Sequence, residues 1–143
     1  MNDKGVSIAR RALGLIDLTD LNANSSDAAV AALCAKAQTP YGKTAAICIW
    51  PRFVKGAKPL LKGTGVRIAT VLNFPDGDDD PAPVVIETEK AIKDGADEID
   101  MVISRGAFFN GRTRMYRPER VAQSDALAAP DAVAPAPAPA PER

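Results

Sequence analysis

The sequence predicts an α/β protein built on a parallel sheet, and two observations carry that prediction. Short apolar or alternating runs take turns with helix-periodic segments, four of the first kind and several of the second, with only a few residues between them. That alternation is the signature of repeated βαβ units. The run Thr44-Ala-Ala-Ile-Cys-Ile-Trp50 is almost wholly apolar, as a strand covered on both faces of such a sheet requires. A chain of 143 residues, 46% apolar and 25% charged, is long enough for one domain around one core. A curled sheet would carry all its helices outside as a barrel and an open one would carry them on both sides; periodicity alone does not choose.

In order, residues 6–15 place Val6, Ile8, Ala9, Ala12, Leu13 and Leu15 near one face of a short helix. Leu15-Ile-Asp-Leu-Thr-Asp-Leu21 alternates as a strand with two unlike faces, Asp17 and Thr19 sharing one of them. Ser25 or Ser26 caps the next helix, Ala28–Ala37, which Thr39-Pro-Tyr-Gly42 stops. After the strand at 44–50, Pro51 opens a helix through Lys62, which Pro59 kinks or shortens and Gly63-Thr-Gly65 closes. Val66–Phe74 is β-branched and apolar, a third strand. Following the acidic loop 75–80, Pro83–Asp94 forms a fourth helix that ends at Gly95. The stretch Gly95-Ala-Asp-Glu-Ile-Asp-Met-Val-Ile103 then reads as a short buried strand with Asp100 in its middle. An acid inside an apolar strand costs free energy unless it is paired or used. Asp97 and Glu98, at the strand entrance, read as solvated.

Eighteen basic residues balance eighteen acidic ones, so no overall field argues for nucleic acid or an anionic membrane. Cys34 and Cys48 form no CxxC pair and the chain has no histidine, which leaves neither a zinc site nor a Cys–His nucleophile to assemble. The thiols read as reduced and buried, which fits a cytoplasmic protein. The first residues lack the apolar core of a secretion signal, and no window approaches a membrane span.

Beyond Gly111 the composition changes. All eight lysines lie at or before Lys93, whereas residues 112–143 hold five arginines, nine alanines and six of the twelve prolines. The repeat Ala134-Pro-Ala-Pro-Ala-Pro-Ala-Pro141 can neither pair in a sheet nor propagate a helix. The expected division is a domain at 1–111 and a low-complexity, disordered tail at 112–143. A linker, a natural extension and out-of-frame translation all compete for that tail, and the abrupt loss of lysine favours the last.

In a parallel barrel the reactive side chains gather at the carboxyl ends of the strands. Asp17, Thr19, Cys48, Asn73 and Asp100 all fall on predicted strands, in their second half or close to it, and could look into one mouth. Asp100 is the foremost candidate for chemistry. Thr19 and Asn73 could equally satisfy backbone groups, and Cys48, with no base near it in sequence, reads as packing. The acidic run at 76–80 lacks the spacing of a calcium loop.

Four of these stretches carry a resemblance. Ile16-Asp-Leu-Thr-Asp-Leu21, Thr44-Ala-Ala-Ile-Cys-Ile-Trp-Pro-Arg-Phe53, Val66-Arg-Ile-Ala-Thr-Val-Leu-Asn-Phe-Pro75 and Gly95-Ala-Asp-Glu-Ile-Asp-Met-Val102 resemble, in order and spacing, successive strands of the deoxyribose-phosphate aldolase family. The likeness runs from about Arg10 to Gly111, with Ala107-Phe-Phe-Asn-Gly111 its last recognisable piece. It implies the N-terminal half, about four βα units, of a (β/α)₈ (TIM) barrel, and a class I aldolase that cleaves 2-deoxy-D-ribose 5-phosphate through a lysine Schiff base. No metal or cofactor is implied, because the imine serves as electron sink. Carried over, Asp100 matches the catalytic aspartate that works with two lysines. Asp17 and Thr19 match polar residues lining the site, Cys48 a cysteine beside the aldehyde pocket, and Asn73 joins them as a substrate-binding candidate.

The resemblance also implies a departure. The family's Schiff-base lysine, its activating lysine and its phosphate loops lie on the sixth to eighth strands, and none has a counterpart here. The expectation is therefore a truncated, inactive copy, or a non-catalytic half barrel that self-associates or docks on an intact aldolase through its open edges.

Overall fold

The structure, a computed structural model, describes residues 3–78 and 80–111. The expected tail lies outside them, as does Asp79. The chain opens with helix α1 (Asp3–Leu13), followed by strand β1 (Asp17–Asp20) and helix α2 (Asp27–Lys36). Ser26 caps α2, its hydroxyl accepting from the Ala29 amide at 3.2 Å, as an N-cap serine does. A two-strand hairpin comes next, β2 (Gln38–Thr39) against β3 (Gly42–Lys43), where the sequence predicted only a helix stop. Two-residue strands are too short to show a period, so composition could not announce them.

Strand β4 (Ala46–Ile49) is buried at every position, as its apolar run requires. Pro51 opens α3 (Pro51–Leu60), and Pro59 falls in its last turn, one residue before the helix ends. Strand β5 (Arg67–Leu72) follows, then α4 (Pro81–Asp94), capped at its start by the Asp80 carboxylate on the Ala82 amide. Gly95, at φ +106°, closes α4 in the left-handed conformation that glycine adopts without penalty. Strand β6 (Glu98–Met101) and a short helix α5 (Arg105–Phe109), the latter not foreseen, complete the described elements.

The four main strands are parallel and lie side by side in chain order, β1, β4, β5, β6. Ile47, Ile49 and Ile68 face α2 and α3, packing with Val30, Cys34, Phe53, Val54 and Ala57. On the other face lie the smaller side chains Ala46, Cys48, Ala69 and Val71. The sheet is therefore a wall with a helical side and a small-residue side, and β1 and β6 are its edges among the described residues.

Edge position corrects one expectation. β6 is half-buried at Glu98 and Ile99 and exposed at Asp100 and Met101, because it has one strand neighbour instead of two. Asp97 and Glu98 are not merely solvated either. The Asp97 carboxylate takes the Lys58 ammonium at 2.7 Å and the Ile68 amide at 3.0 Å, and Glu98 pairs with Arg67 at 2.8 Å. Their partners come from other elements, 29 to 39 residues away for Asp97, which no local pattern reveals.

Candidate functional site

Register decides which side chains can act together. Thr19 stands opposite Cys48, Cys48 opposite Ala69, and Val71 opposite Asp100, while Asp17 aligns with Ala46. Side chains two apart on a strand share a face. Asp17, Thr19, Cys48 and Asp100 therefore all rise from the small-residue side of the sheet, spread over three of its four strands. Neighbouring strands are about 4.8 Å apart, so the span from β1 to β6 is roughly 14 Å before any curvature.

Cys48 is 5% exposed and sits in the midst of the others. Burial pushes its thiol above the ordinary 9.0, and the carboxylates of Asp100 and then Asp17 push it the same way, with a hydrogen bond to Thr19 opposing them. A thiol so placed keeps its proton at neutral pH and serves as an uncharged wall, not as a nucleophile. Thr19 also donates to the Asp17 carbonyl oxygen at 3.1 Å. Asp17, Thr19 and Asp100 are all exposed, so their polar groups are free of the sheet's own packing.

Asp17, the first residue of β1, stands where the strand begins and not in or close to its second half as expected, because β1 starts two residues later than its alternating run. The loops at the carboxyl ends of the strands are the rim that holds the rest of this face. After β1, the Asp20 carboxylate accepts from Ser25 Oγ at 2.6 Å, Asn22 Nδ2 at 2.8 Å and the Asn22 amide at 3.1 Å. The Ser25 hydroxyl foremost, then the Asn22 amide, hold its carboxyl below the usual range. After β4, Trp50 donates to the Asn22 carbonyl at 3.2 Å and meets Phe74 edge-to-face, while the Arg52 guanidinium lies over the Trp50 and Phe53 rings. Asn73 leaves the strand face altogether and turns its amide into the loop after β5. Sequence reasoning did not assign Asp20, Ser25 and Arg52 to this rim, because their partners are fixed by how the loop after β1 folds: Asp20 takes Ser25 and Asn22, and Arg52 reaches the Ala23 carbonyl 29 residues away.

None of the eight lysines lies on a strand of the main sheet. Lys4, Lys36, Lys55, Lys58, Lys90 and Lys93 are on helices, Lys43 is in the hairpin, and Lys62 follows α3. Lys43, Lys58 and Lys62 belong to the opposite end of the sheet, where strands begin: Lys43 reaches the Thr64 carbonyl and Lys58 reaches Asp97.

A match to the model of the DeoC/LacD aldolase family covers residues 11–115 of this chain. The chain belongs to that family. It is 50% identical over 119 residues to the deoxyribose-phosphate aldolase of Agrobacterium fabrum, an alignment that takes in 82% of this chain and 46% of that protein. A crystal structure from Coccidioides immitis assigned to deoxyribose-phosphate aldolase superposes with a TM-score of 0.66 at 25% identity, over 78% of this chain and 52% of the other. The tetrameric deoxyribose phosphate aldolase of Aeropyrum pernix shares the fold at 20% identity and a TM-score of 0.60, covering 74% of this chain and 48% of that one. The chain thus spans about half the length of the relatives it matches. Its four parallel strands in chain order, with helices on one face, are the first four βα units of the aldolase (β/α)₈ barrel. Among the described residues no helix is long and apolar enough to cross a membrane.

Proposed function

We propose that this aldolase-family chain supplies the front half of a site for reversible cleavage of 2-deoxy-D-ribose 5-phosphate to D-glyceraldehyde 3-phosphate and acetaldehyde, a step of deoxyribonucleotide catabolism in the cytoplasm. The observation that carries the reading is the common face of Asp17, Thr19, Cys48 and Asp100 on parallel strands. In it, Asp100 gives and takes the proton at the carbon next to an imine, for which a carboxylate at a solvent-accessible strand end is suited. Asp17 and Thr19 offer an acceptor and a hydroxyl to the sugar's hydroxyl groups, Asn73 belongs to the rim, and the protonated Cys48 thiol walls the space for the small aldehyde. The imine itself forms on an amine that these 143 residues do not bring to the face, a reading supported by the positions of all eight lysines. By themselves, then, they bind and orient but do not turn over.

The test is covalent trapping. The 143-residue chain incubated with deoxyribose 5-phosphate and borohydride should show no mass increment, and a stoichiometric adduct on any of its lysines overturns the reading of inactivity. Mixed with a polypeptide carrying the second half of the Agrobacterium fabrum relative, it should regain cleavage that Asp100→Asn abolishes; cleavage indifferent to that substitution removes Asp100 from the chemistry.

A second reading, a non-catalytic half barrel that pairs with itself or with an intact aldolase, is favoured by one observation. Beside the β6 edge, Met101, Ile103 and Phe109 are 41%, 44% and 83% exposed. A monodisperse dimer without any gain of cleavage on mixing would select it.

A further inference from the structure

Asp100 stands on a strand that pairs on one side only among the described residues. With half the usual ladder, the direction of its last side chains depends on what fastens the strand's exit. The ladder's last bond, from the Val102 amide to the Leu72 carbonyl at 3.1 Å, holds one side of the Val102 peptide, and the side chain that fastens the exit beyond it is Asn73. It lies just beyond β5 at φ +52°, a conformation asparagine tolerates better than most residues with a side chain. Its Nδ2 donates to the carbonyl oxygens of Asp78 at 3.1 Å and Val102 at 3.0 Å, and its Oδ1 accepts from the Asp78 amide at 2.9 Å. Both amide hydrogens are thereby engaged, and none remains to donate to a ligand.

Further bonds close the same loop. Ser104 Oγ donates to the Asp78 carbonyl, and Arg105 forks onto the Asp76 carbonyl through Nε at 2.9 Å and Nη2 at 2.6 Å. Gly77 is pressed so close that a Cβ there would stand 2.3 Å from the Ile103 carbonyl oxygen. The loop after β5 and the loop after β6 form one clasp, which closes two residues beyond Asp100.

We propose that Asn73 is a positioning residue: by tying the loop after β5 to the Val102 carbonyl it fixes the exit of β6, and with it the direction of the Asp100 carboxylate, and it does not contact substrate. Its catalytic meaning rests on the reading of Asp100 given above, whereas the clasp itself stands apart from that reading.

The test uses the full 143-residue chain, with amide exchange and the carboxyl carbon resonances of its aspartates as readouts. Asn73→Gly keeps the positive φ and removes the amide. It should speed exchange at the Asp78 amide about fivefold or more, the worth of one net hydrogen bond, and shift the Asp100 carboxyl resonance while leaving Asp17 on β1 unmoved. Asn73→Asp retains the acceptor but not the donors, so Asp78 should stay protected while Asp100 still moves. Arg105→Met, which leaves Asn73 intact, should move Asp100 in the same direction by less. An unmoved Asp100 resonance in both Asn73 variants, or wild-type exchange at Asp78 in Asn73→Gly, overturns the proposal. In the two-piece assembly, Asn73→Gly should lower kcat at constant KM, and a raised KM with kcat kept would mark a substrate contact and overturn it. Should the wild-type assembly cleave nothing, the aldolase reading falls, and the exchange and resonance data decide the clasp on their own.

Discussion

At Cys48 several groups compete over one proton. Burial comes first, then the charges of Asp100 and Asp17, all holding the thiol protonated, with the Thr19 hydrogen bond pulling the other way. Cys34 differs: burial raises it too, but no carboxylate contributes. Asp100→Asn should therefore speed alkylation of Cys48 by iodoacetamide a few-fold at pH 8.5, and Thr19→Val should slow it, with Cys34 unaffected by either. Peptide mapping of the labelled chain measures both sites at once, and an unchanged Cys48 rate in Asp100→Asn would mean the two do not share a face. The pH dependence of stability has a definite sign. Each thiol is raised in the folded chain, so its contribution is whole below 9.0 and is lost as pH climbs through the folded pKa, because the unfolded thiols ionise first. Tm should fall between pH 8.5 and 10, and Cys48→Ala should flatten that slope whatever it does to Tm at pH 7. That Asp17 and Thr19 share a face was legible in the sequence, because a period of two is local; that Cys48 and Asp100 join them follows from the cross-strand register, which no local pattern carries. That Asp100 is exposed was not legible either, since edge or centre is decided by which strands pair.

Elements announced themselves where their ends carry chemistry. Ser26 before α2, Pro51 at the start of α3 and Gly95 after α4 are side chains or backbone freedoms that only a helix terminus uses, and each marks its boundary. The β2–β3 hairpin and α5 went unread because two-residue strands and a five-residue helix are too short for any period to show. Cross-element pairing was equally invisible. Asp97 joins α3 to β5 and β6, receiving both the Lys58 ammonium and the amide of Ile68, a residue with no exposed surface. Asp97→Ala leaves that buried amide without its carboxylate acceptor and should cost about 1–3 kcal/mol. Asp97→Asn can still accept from it and loses only a half-exposed ion pair, worth about 0–1 kcal/mol. Urea unfolding of the two variants separates these values, and equal losses would assign the stabilisation to the ion pair.

The sheet as a whole is a wall with one helical face. β1 and β6 each have one strand neighbour among the described residues, and their outward backbone groups are open to pairing. Near the β6 side the exposure is apolar as well: Val85, Ile86 and Ile92 on α4 are 54%, 68% and 45% exposed, and Phe108 and Phe109 on α5 are 53% and 83% exposed. Apolar side chains scattered singly are ordinary, but this many on the two helices that precede and follow β6 in the chain are area that water disfavours. The matched part is about half the length of the relatives, so the remainder of such a chain is the natural source of a cover for that surface. Purified as these 143 residues, the protein should bind a hydrophobic dye and associate with rising concentration in sedimentation velocity. Ile86→Lys with Ile92→Lys should weaken both effects, since these exposed positions contribute area to the patch and little to the core. The second half of the relative, added in equimolar amount, should suppress dye binding in the wild-type chain as it covers the β6 side. A chain that stays monomeric and dye-free at all concentrations would mean that this surface is already covered.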